Sequence, residues 1–384
     1  MLPSQIKIGI IGGGQLGKML IEAGQPYNIH YNILETENAP AGSIANHQII
    51  GSLMDSEKIK ELANISDVLT FEIEHINVEV LLELEKAGKK IIPSPKILQI
   101  IQDKGLQKQF FIDNNIPSSA FVLAENKNEF VSKMNLLNGE KIAVKLRKGG
   151  YDGKGVFLSS KKEIQEGVLN QAFDAPCVLE AFIENATEIS IIVARHTDGS
   201  TSVFPTVEME FNTQSNLVEF LFSPAQISET IAQKCESVAL DCIQKLGGVG
   251  LFAVELFVDE NQNVFVNEIA PRPHNSGHHT IECCYTSQYE QLNRILLGMP
   301  LGSTKLIQPA AMINLIGFEG IEGNYEITGL DTILKIEGVY IHLYNKAVTK
   351  PNRKMGHITI MGENIETVKE RASLVKRHIG MILK

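Results

Sequence analysis

The chain is short of the features that mark disulfide-stapled, membrane-spanning or nucleic-acid-binding proteins. Its 384 residues hold five cysteines, Cys177, Cys235, Cys242, Cys283 and Cys284. The number is odd and no spacing matches a zinc pattern, so they read as small buried hydrophobes in a reducing compartment. No apolar run approaches the ~18 residues of a membrane span. The opening stretch MLPSQIKIGIIGGGQLG meets glycines before it can form the apolar region of a secretory signal. A cytoplasmic location without membrane attachment is expected. Positive charge is in deficit, with 35 Lys and Arg against 45 Asp and Glu and a formal net charge of -10. A field of that sign repels nucleic-acid phosphates overall, although a local basic pocket can still hold a small anion. Internal repeats and low-complexity tracts are also missing.

What remains is an ordinary globular composition, 43% hydrophobic and 21% charged, at a length that suits two or three domains. Short apolar runs alternate with helical patterns over the first hundred residues. Residues 6–11, 31–35, 67–72 and 89–93 read as strands. GQLGKMLIEAGQ and LLELEKAG read as helices, the second closed by Gly88. This alternation predicts an α/β, mainly parallel, Rossmann-like sheet over residues 1–105. Two helical pieces follow over 94–119, ending before Pro117. Strands are then expected over 140–147, 175–183 and 188–196, with a hairpin formed by VGLFAVELFVD and NVFVNEIA. This second unit spans 106–300, with a lid subdomain at about 115–183. A small β-rich unit over 301–384 has strands at 313–318 and 339–344 and closes on a helix from Ile365 to His378.

Gly12, Gly14 and Gly17 form G-x-G-x-x-G between a strand and a helix, and Glu35 lies eighteen residues on. This is the dinucleotide-binding fingerprint in its required context. Glycines at such a turn also serve tight packing, and the helix N-terminus can bind another anion. A more specific phosphate-handling set follows and decides against NAD. In AVKLRKGGYDGKGVF, Lys145 sits on a strand just before Gly149, Gly150, Gly153 and Gly155. Such a loop can fold backbone N–H groups over phosphates while the lysine supplies charge. In VLEAFIENATEIS, Glu180 can accept from an adenine amino group and Glu188 from ribose hydroxyls.

The hairpin is more specific. A four-residue loop at Glu260–Asn263 pairs Asp259 with Val264, and that register puts Glu255 opposite Glu268. Two like charges facing across a ladder are unfavourable. A Mg²⁺ ion between them removes the conflict, using one or two carboxylates plus substrate phosphates. Asn267 offers a further oxygen nearby.

The order of these parts resembles the ATP-grasp superfamily. The tags GGGQLGKM (12–19), GGYDGKG (149–155), NEIAPRPHNSGH (267–278) and NRKMGH (352–357) together resemble the N5-carboxyaminoimidazole ribonucleotide synthetase family, across all three units. The resemblance implies a ligase of purine biosynthesis, acting on ATP, bicarbonate and aminoimidazole ribonucleotide by way of carboxyphosphate. It implies a homodimer that uses Mg²⁺, with Mn²⁺ as an alternative. ATP contacts fall on Lys104, Lys145, Gly150, Tyr151, Asp152, Gly153, Lys154, Gly155, Val156, Glu180, Ala181, Phe182, Ile183, Glu188, Asn267 and Glu268. Metal falls on Glu255 and Glu268. Tyr151, Asp152, Arg272, His274 and Asn275 line the bicarbonate and amine site, with Asp152 a candidate to take the amine proton. Gln15, Tyr151, Lys346 and Arg353 hold the ribonucleotide, and Lys346 is placed nearer the reacting centre than Arg353. Lys104 stands where relatives carry arginine, keeping the charge but not the bidentate fork. The nearest alternative is another ATP-grasp enzyme of purine synthesis, the formate-using glycinamide ribonucleotide transformylase. An alternative of another class is a non-catalytic NAD-sensing module.

Overall fold

In the computed structural model of the chain, residues 5–150, 155–168, 173–211 and 218–384 are described. The first five strands are β1 Lys7–Ile11, β2 His30–Glu35, β3 His47–Ile50, β4 Val68–Phe71 and β5 Lys90–Ile91. They form one parallel sheet in the order β3-β2-β1-β4-β5. Its helices are α1 Gln15–Gly24, α2 Ser56–Asn64 and α3 Val78–Lys86, followed by α4 Pro95–Ile101 and α5 Lys104–Asp113. β1, β2 and β4 are almost wholly buried, which is why they read as unbroken apolar runs. The expected strand at 89–93 shrinks to two residues at the sheet edge. β3 and α2 were not expected. HQII is too short for a clear period, whereas α2 buries a face of Ile59, Leu62 and Ala63 and is capped by Asp55.

The next subdomain has β6 Phe121–Ala124, β7 Lys141–Leu146, β8 Val156–Ser160 and β9 Cys177–Ala181, in the order β6-β9-β7-β8 and all antiparallel. The large sheet is built from β10 Thr187–Arg195, β11 Thr201–Val203, β12 Val207–Phe211, β13 Val218–Ser223, β14 Gly250–Val258 and β15 Val264–Ala270. Four strands follow: β16 Ala310–Ile316, β17 Tyr325–Thr328, β18 Val339–Leu343 and β19 Lys354–Met361, with β20 Gly380–Leu383 last. The order β15-β14-β10-β12-β13-β16-β19-β18 makes a single sheet, with β11 paired to β10. The C-terminal strands therefore extend the central sheet through β13 and β16, where Phe220 faces Ile313. The ladder has no break near residue 300. Local pattern cannot show such continuity, because it records that a strand exists and not its neighbour.

The core also crosses the expected boundary near residue 105. Ile8, Ile10, Leu20 and Tyr31 pack in one cluster with Ile192, Leu251, Leu292 and Leu296. Tyr31 donates its hydroxyl to Asn293 Oδ1 at 2.8 Å, and Asn293 donates back to the Leu20 carbonyl at 2.9 Å. Gly24 makes this approach possible, since a Cβ there would lie 1.7 Å from the Tyr31 hydroxyl oxygen. All five cysteines are free and buried, as expected. No helix among the described residues is long and apolar enough to cross a membrane.

Candidate active site

The hairpin β14–β15 carries the acidic centre of the site. Its turn closes one residue differently from the expectation: Val258, not Asp259, pairs with Val264, so the loop has five residues. Asp259 instead accepts from the N–H groups of Asn261 and Asn263 inside the turn. Continued without interruption, that register would set Glu255 against Asn267. A bulge between Leu256 and Glu255 absorbs one residue, and Glu255 faces Glu268 after all. The extra residue is Asn267, and a bulge re-aims the side chains beside it. The facing pair was thus anticipated correctly from a turn geometry that was wrong.

Two lysines from separate elements converge on the bulge. Lys145 on β7 donates to Asn267 Oδ1 at 2.8 Å and lies 3.0 Å from Glu180 Oε1. Lys104, the first residue of α5, is ion-paired with Glu268. The like-charge conflict of the two glutamates is therefore relieved partly by Lys104 on Glu268. On the other side, His274 Nε2 lies 3.3 Å from Glu255 Oε1. The charge of Lys104 holds the Glu268 carboxyl below the usual range against the opposing effect of burial. Burial, with Glu268 and Glu188 beside it, pushes Glu255 upward. Glu188, near the start of β10, is raised to about 7 by burial; Glu268 adds to this and Lys145 opposes it.

Glu180 takes a different position from the one expected of an adenine acceptor. It is 3% exposed. Its Oε2 accepts from Ser119 Oγ at 2.6 Å and lies 2.9 Å from Lys108 Nζ, while Oε1 faces Lys145. Burial alone would raise its pKa, but Lys145 and Lys108 outweigh it and hold the carboxylate at about 2. Both oxygens are therefore committed to seating lysines. Lys108 was missed by sequence reasoning. The available signal was its spacing, one helical turn after Lys104 on the same face of α5. Ala181, Phe182 and Ile183 follow at the end of β9, with the Phe182 side chain half exposed under the Lys141 ammonium.

The glycine turn after β1 is closed by the protein's own carboxylates. Glu72 Oε1 and Oε2 accept from the Gly14 and Gly17 N–H groups at 2.5 and 2.7 Å, and Glu35 Oε2 accepts from Gly13 N–H at 3.1 Å. A Cβ on Gly12 would lie 2.5 Å from Glu72 Cγ, and Gly12 has φ +104°. Glu72 therefore occupies the place at the N-terminus of α1 where a pyrophosphate would sit. The fingerprint is real as geometry, and its main-chain donors at Gly13, Gly14 and Gly17 are taken by Glu35 and Glu72. Glu72 follows β4, whose C-terminal end lies beside that of β1, the edge where such folds place ligands.

The loop after β15 is held from several directions. Arg272 Nη2 lies 2.8 Å from Glu74 Oε1, which ties it to the first sheet. His274 Nδ1 lies 2.8 Å from Ser276 Oγ, and Ser276 Oγ lies 2.7 Å from Ser190 Oγ. Asn275 and Asn314 exchange amide hydrogen bonds at 2.8 and 2.9 Å. His278 and His279 are buried, and Tyr289 Oη lies 2.9 Å from His278 Nδ1. Lys346 and Arg353 lie on the β18–β19 connection. Lys346 Nζ donates to the Lys354 carbonyl at 2.7 Å and Arg353 Nη1 to the Val348 carbonyl at 2.7 Å. Gln15 is half-buried at the first turn of α1. Gly150, Gly155 and Val156 flank the glycine loop. Tyr151, Asp152, Gly153 and Lys154 lie outside the described residues.

A glycine loop after a lysine-bearing strand, a second lysine on a flanking helix and a two-glutamate hairpin, set on a parallel-sheet domain, define an ATP-grasp ligase. Three family models match successive stretches of the chain. An ATP-grasp domain matches residues 109–289, a ribonucleotide synthetase preATP-grasp domain residues 5–102, and a phosphoribosylaminoimidazole carboxylase C-terminal domain residues 310–371. The N5-carboxyaminoimidazole ribonucleotide synthase of Bacillus subtilis is 35% identical over 92% of this chain and 91% of its own. The crystal structure of the synthetase from Thermotoga maritima matches with a TM-score of 0.88 at 39% identity, covering 99% of this chain and 100% of that one. A synthase from Aspergillus clavatus, solved with ADP and 5-aminoimidazole ribonucleotide, matches at 0.87 and 31% identity, covering 97% and 98%. The chain belongs to the N5-carboxyaminoimidazole ribonucleotide synthetase family. It spans about two thirds of the length of fungal and plant relatives named phosphoribosylaminoimidazole carboxylase, such as that of Ogataea methanolica, which is 37% identical and 69% covered.

Proposed function

We propose that this chain uses ATP to join bicarbonate to the exocyclic amine of 5-aminoimidazole ribonucleotide, giving the N5-carboxylated ribonucleotide, ADP and phosphate. The observation that carries the reading is the convergence of Lys104 and Lys145 on the Asn267–Glu268 bulge, opposite Glu255. Two lysines supply positive charge for a triphosphate, while two carboxylates and an amide oxygen suit a hard divalent cation that keeps phosphate oxygens as its other ligands. Glu255 and Glu268 would hold Mg²⁺ there, and the ion would neutralise charge developing on the transferred phosphoryl group.

The chain's own residues divide the remaining work. Lys145 and Lys104 orient the phosphates, with Lys108 and Glu180 holding Lys145 in place. Ala181 to Ile183 offer backbone groups to the adenine, and Glu188 accepts from the ribose hydroxyls. ATP phosphorylates bicarbonate to carboxyphosphate, an anionic and labile species that needs fixed donors and exclusion of water. Arg272, His274 and Asn275 supply donors beside the acidic pair, each held by a partner that limits its motion. Asp152, assigned by family resemblance, takes the amine proton. Lys346 and Arg353 grip the ribonucleotide phosphate, with Gln15 and Tyr151 lining the same pocket. The three-unit division at 105/106 and 300/301, a homodimeric state and a cytoplasmic location belong to the same proposal.

The decisive measurement is ADP release with aminoimidazole ribonucleotide, with and without bicarbonate, with the product identified by ¹³C from labelled bicarbonate. Release that needs both substrates supports the reading. Release driven instead by glycinamide ribonucleotide and formate would replace it with the transformylase.

A further inference from the structure

The two converging lysines are not independent of one another. Lys104 follows Asp103, and Lys145 stands two residues before Arg147. Between them lies a half-buried fork. Arg147 Nε donates to Asp103 Oδ1 at 2.8 Å and Nη2 to Oδ2 at 2.9 Å. Asp103 is 5% exposed. It is also the N-cap of α5, accepting from the Gly105 and Leu106 N–H groups. The backbones are stitched at the same point, with Lys104 N–H donating to the Arg147 carbonyl at 2.9 Å and Arg147 N–H to the Pro176 carbonyl at 3.0 Å. Gly105 completes the fit, because a Cβ there would lie 2.6 Å from Arg147 Nε. A bidentate guanidinium–carboxylate pair fixes direction as well as distance, which a lysine cannot do.

We infer that the Arg147–Asp103 fork is a positioning device for the nucleotide phosphates, setting Lys104 on α5 and Lys145 on β7 at a fixed separation under the base of the glycine loop. It rests on the ATP reading above. Neither Arg147 nor Asp103 touches the bulge itself. Both act through their lysine neighbours, so they are positioning residues and not catalytic ones. A shift of about 1 Å in such a pair is enough to cost a large factor in rate.

Three variants disturb the fork in different ways. Arg147→Lys keeps the charge and removes the fork. Asp103→Asn keeps the cap and removes the charge. Gly105→Ala leaves both groups and crowds them. Kd for ADP with Mg²⁺ is measured by calorimetry, and kcat and KM for each substrate by ADP release, on the full chain. Each variant is expected to weaken ADP by ~10-fold or more and raise KM for ATP in step, with KM for the ribonucleotide changed less than ~2-fold. The double variant Arg147→Lys with Asp103→Asn should be no weaker than the worse single one, as expected for one unit. A merely structural pair would lower the thermal midpoint and leave the ADP Kd of the folded variant at the wild-type value, and that result overturns the inference. So does wild-type protein that fails to bind ADP. Since ADP binding is read without the ribonucleotide, failure of the carboxylation reading would appear in turnover alone.

Discussion

At the scale of single residues, the site is a charge-balanced cluster in which no carboxylate can be changed without consequence for a lysine. Glu268→Gln keeps the shape of the side chain and removes the negative charge that Lys104 faces. We expect turnover to fall by at least ~10²-fold, as for loss of a preorganised electrostatic group, with folding nearly unchanged; normal turnover at ordinary Mg²⁺ would contradict the metal assignment. Lys108→Met acts differently. Lys108 and Glu180 are both 3% exposed, and removing one partner of a buried pair costs about 3 kcal/mol. Lys145 remains on Glu180 and limits the damage, so the variant should fold with a lower urea midpoint and weaker ATP binding. Arg353→Ala should raise KM for the ribonucleotide by ~10-fold, about 1.4 kcal/mol, and leave KM for ATP in place. If ATP is weakened instead, the phosphate assignment of the β18–β19 connection is wrong.

The element scale is where the glycine turn changes meaning. β1, the turn and α1 have the geometry of a dinucleotide site, and β4 delivers Glu72 into it. Titration with NADH should show no micromolar binding. Gly12→Ala should destabilise strongly, because φ +104° is strained for alanine and the new Cβ meets Glu72 Cγ at 2.5 Å. Both findings turn on a residue 58 positions from Gly14. Within single elements much was legible. The hairpin, the two helices before Pro117, the lysine strand and the closing helix all stand near their expected bounds, because each carries a clear period and a cap or turn signal. β3 did not, since a four-residue edge strand lacks those signals; α2 carries both, the Asp55 cap and the Ile59, Leu62 and Ala63 face, and was legible but not read. The register of β14–β15 shows the limit. A turn length can be guessed from the sequence, but a bulge answers to what the strand must present.

Across the whole molecule, one core joins the first sheet to the body and one long sheet joins the body to the C-terminal strands. At the centre His278, His279 and His357 are buried. His357 stacks between His278 and His342 at ring distances of 4.7 and 4.4 Å. Burial lowers His279 to about 4, opposed by the hydrogen bond that its Nδ1 donates to the Ser276 carbonyl, and carries His278 and His357 well below their usual value. A histidine held neutral in the fold takes up its proton on unfolding. The stability it contributes is fully present above about pH 6.5 and is lost as pH falls toward 4. The thermal midpoint should therefore drop between pH 6.5 and 4.5, and His279→Gln should flatten the slope. A midpoint constant over that range would show that the buried histidines do not set acid stability.

The sequence by itself determined the order of parts: a glycine turn on a first parallel sheet, Lys145 ahead of a glycine loop, Glu255 and Glu268 on one hairpin, and a basic tract between the last long strands. These are local patterns, each written within about twenty residues, and together they were enough for the family. Only the tertiary structure decided which ligand-like sites are already filled and which side chains hold the others. Glu72 closes the first glycine turn, Lys108 and Lys145 share Glu180, Arg147 grips Asp103, and Asn267 bulges so that Glu255 meets Glu268. The physical reason, for the ion pairs, is that a buried charge is tolerated only beside its partner, and those partners come from elements far apart in the chain; for the hairpin, the spacing already paired Glu255 with Glu268, and only the bulge lay beyond the sequence.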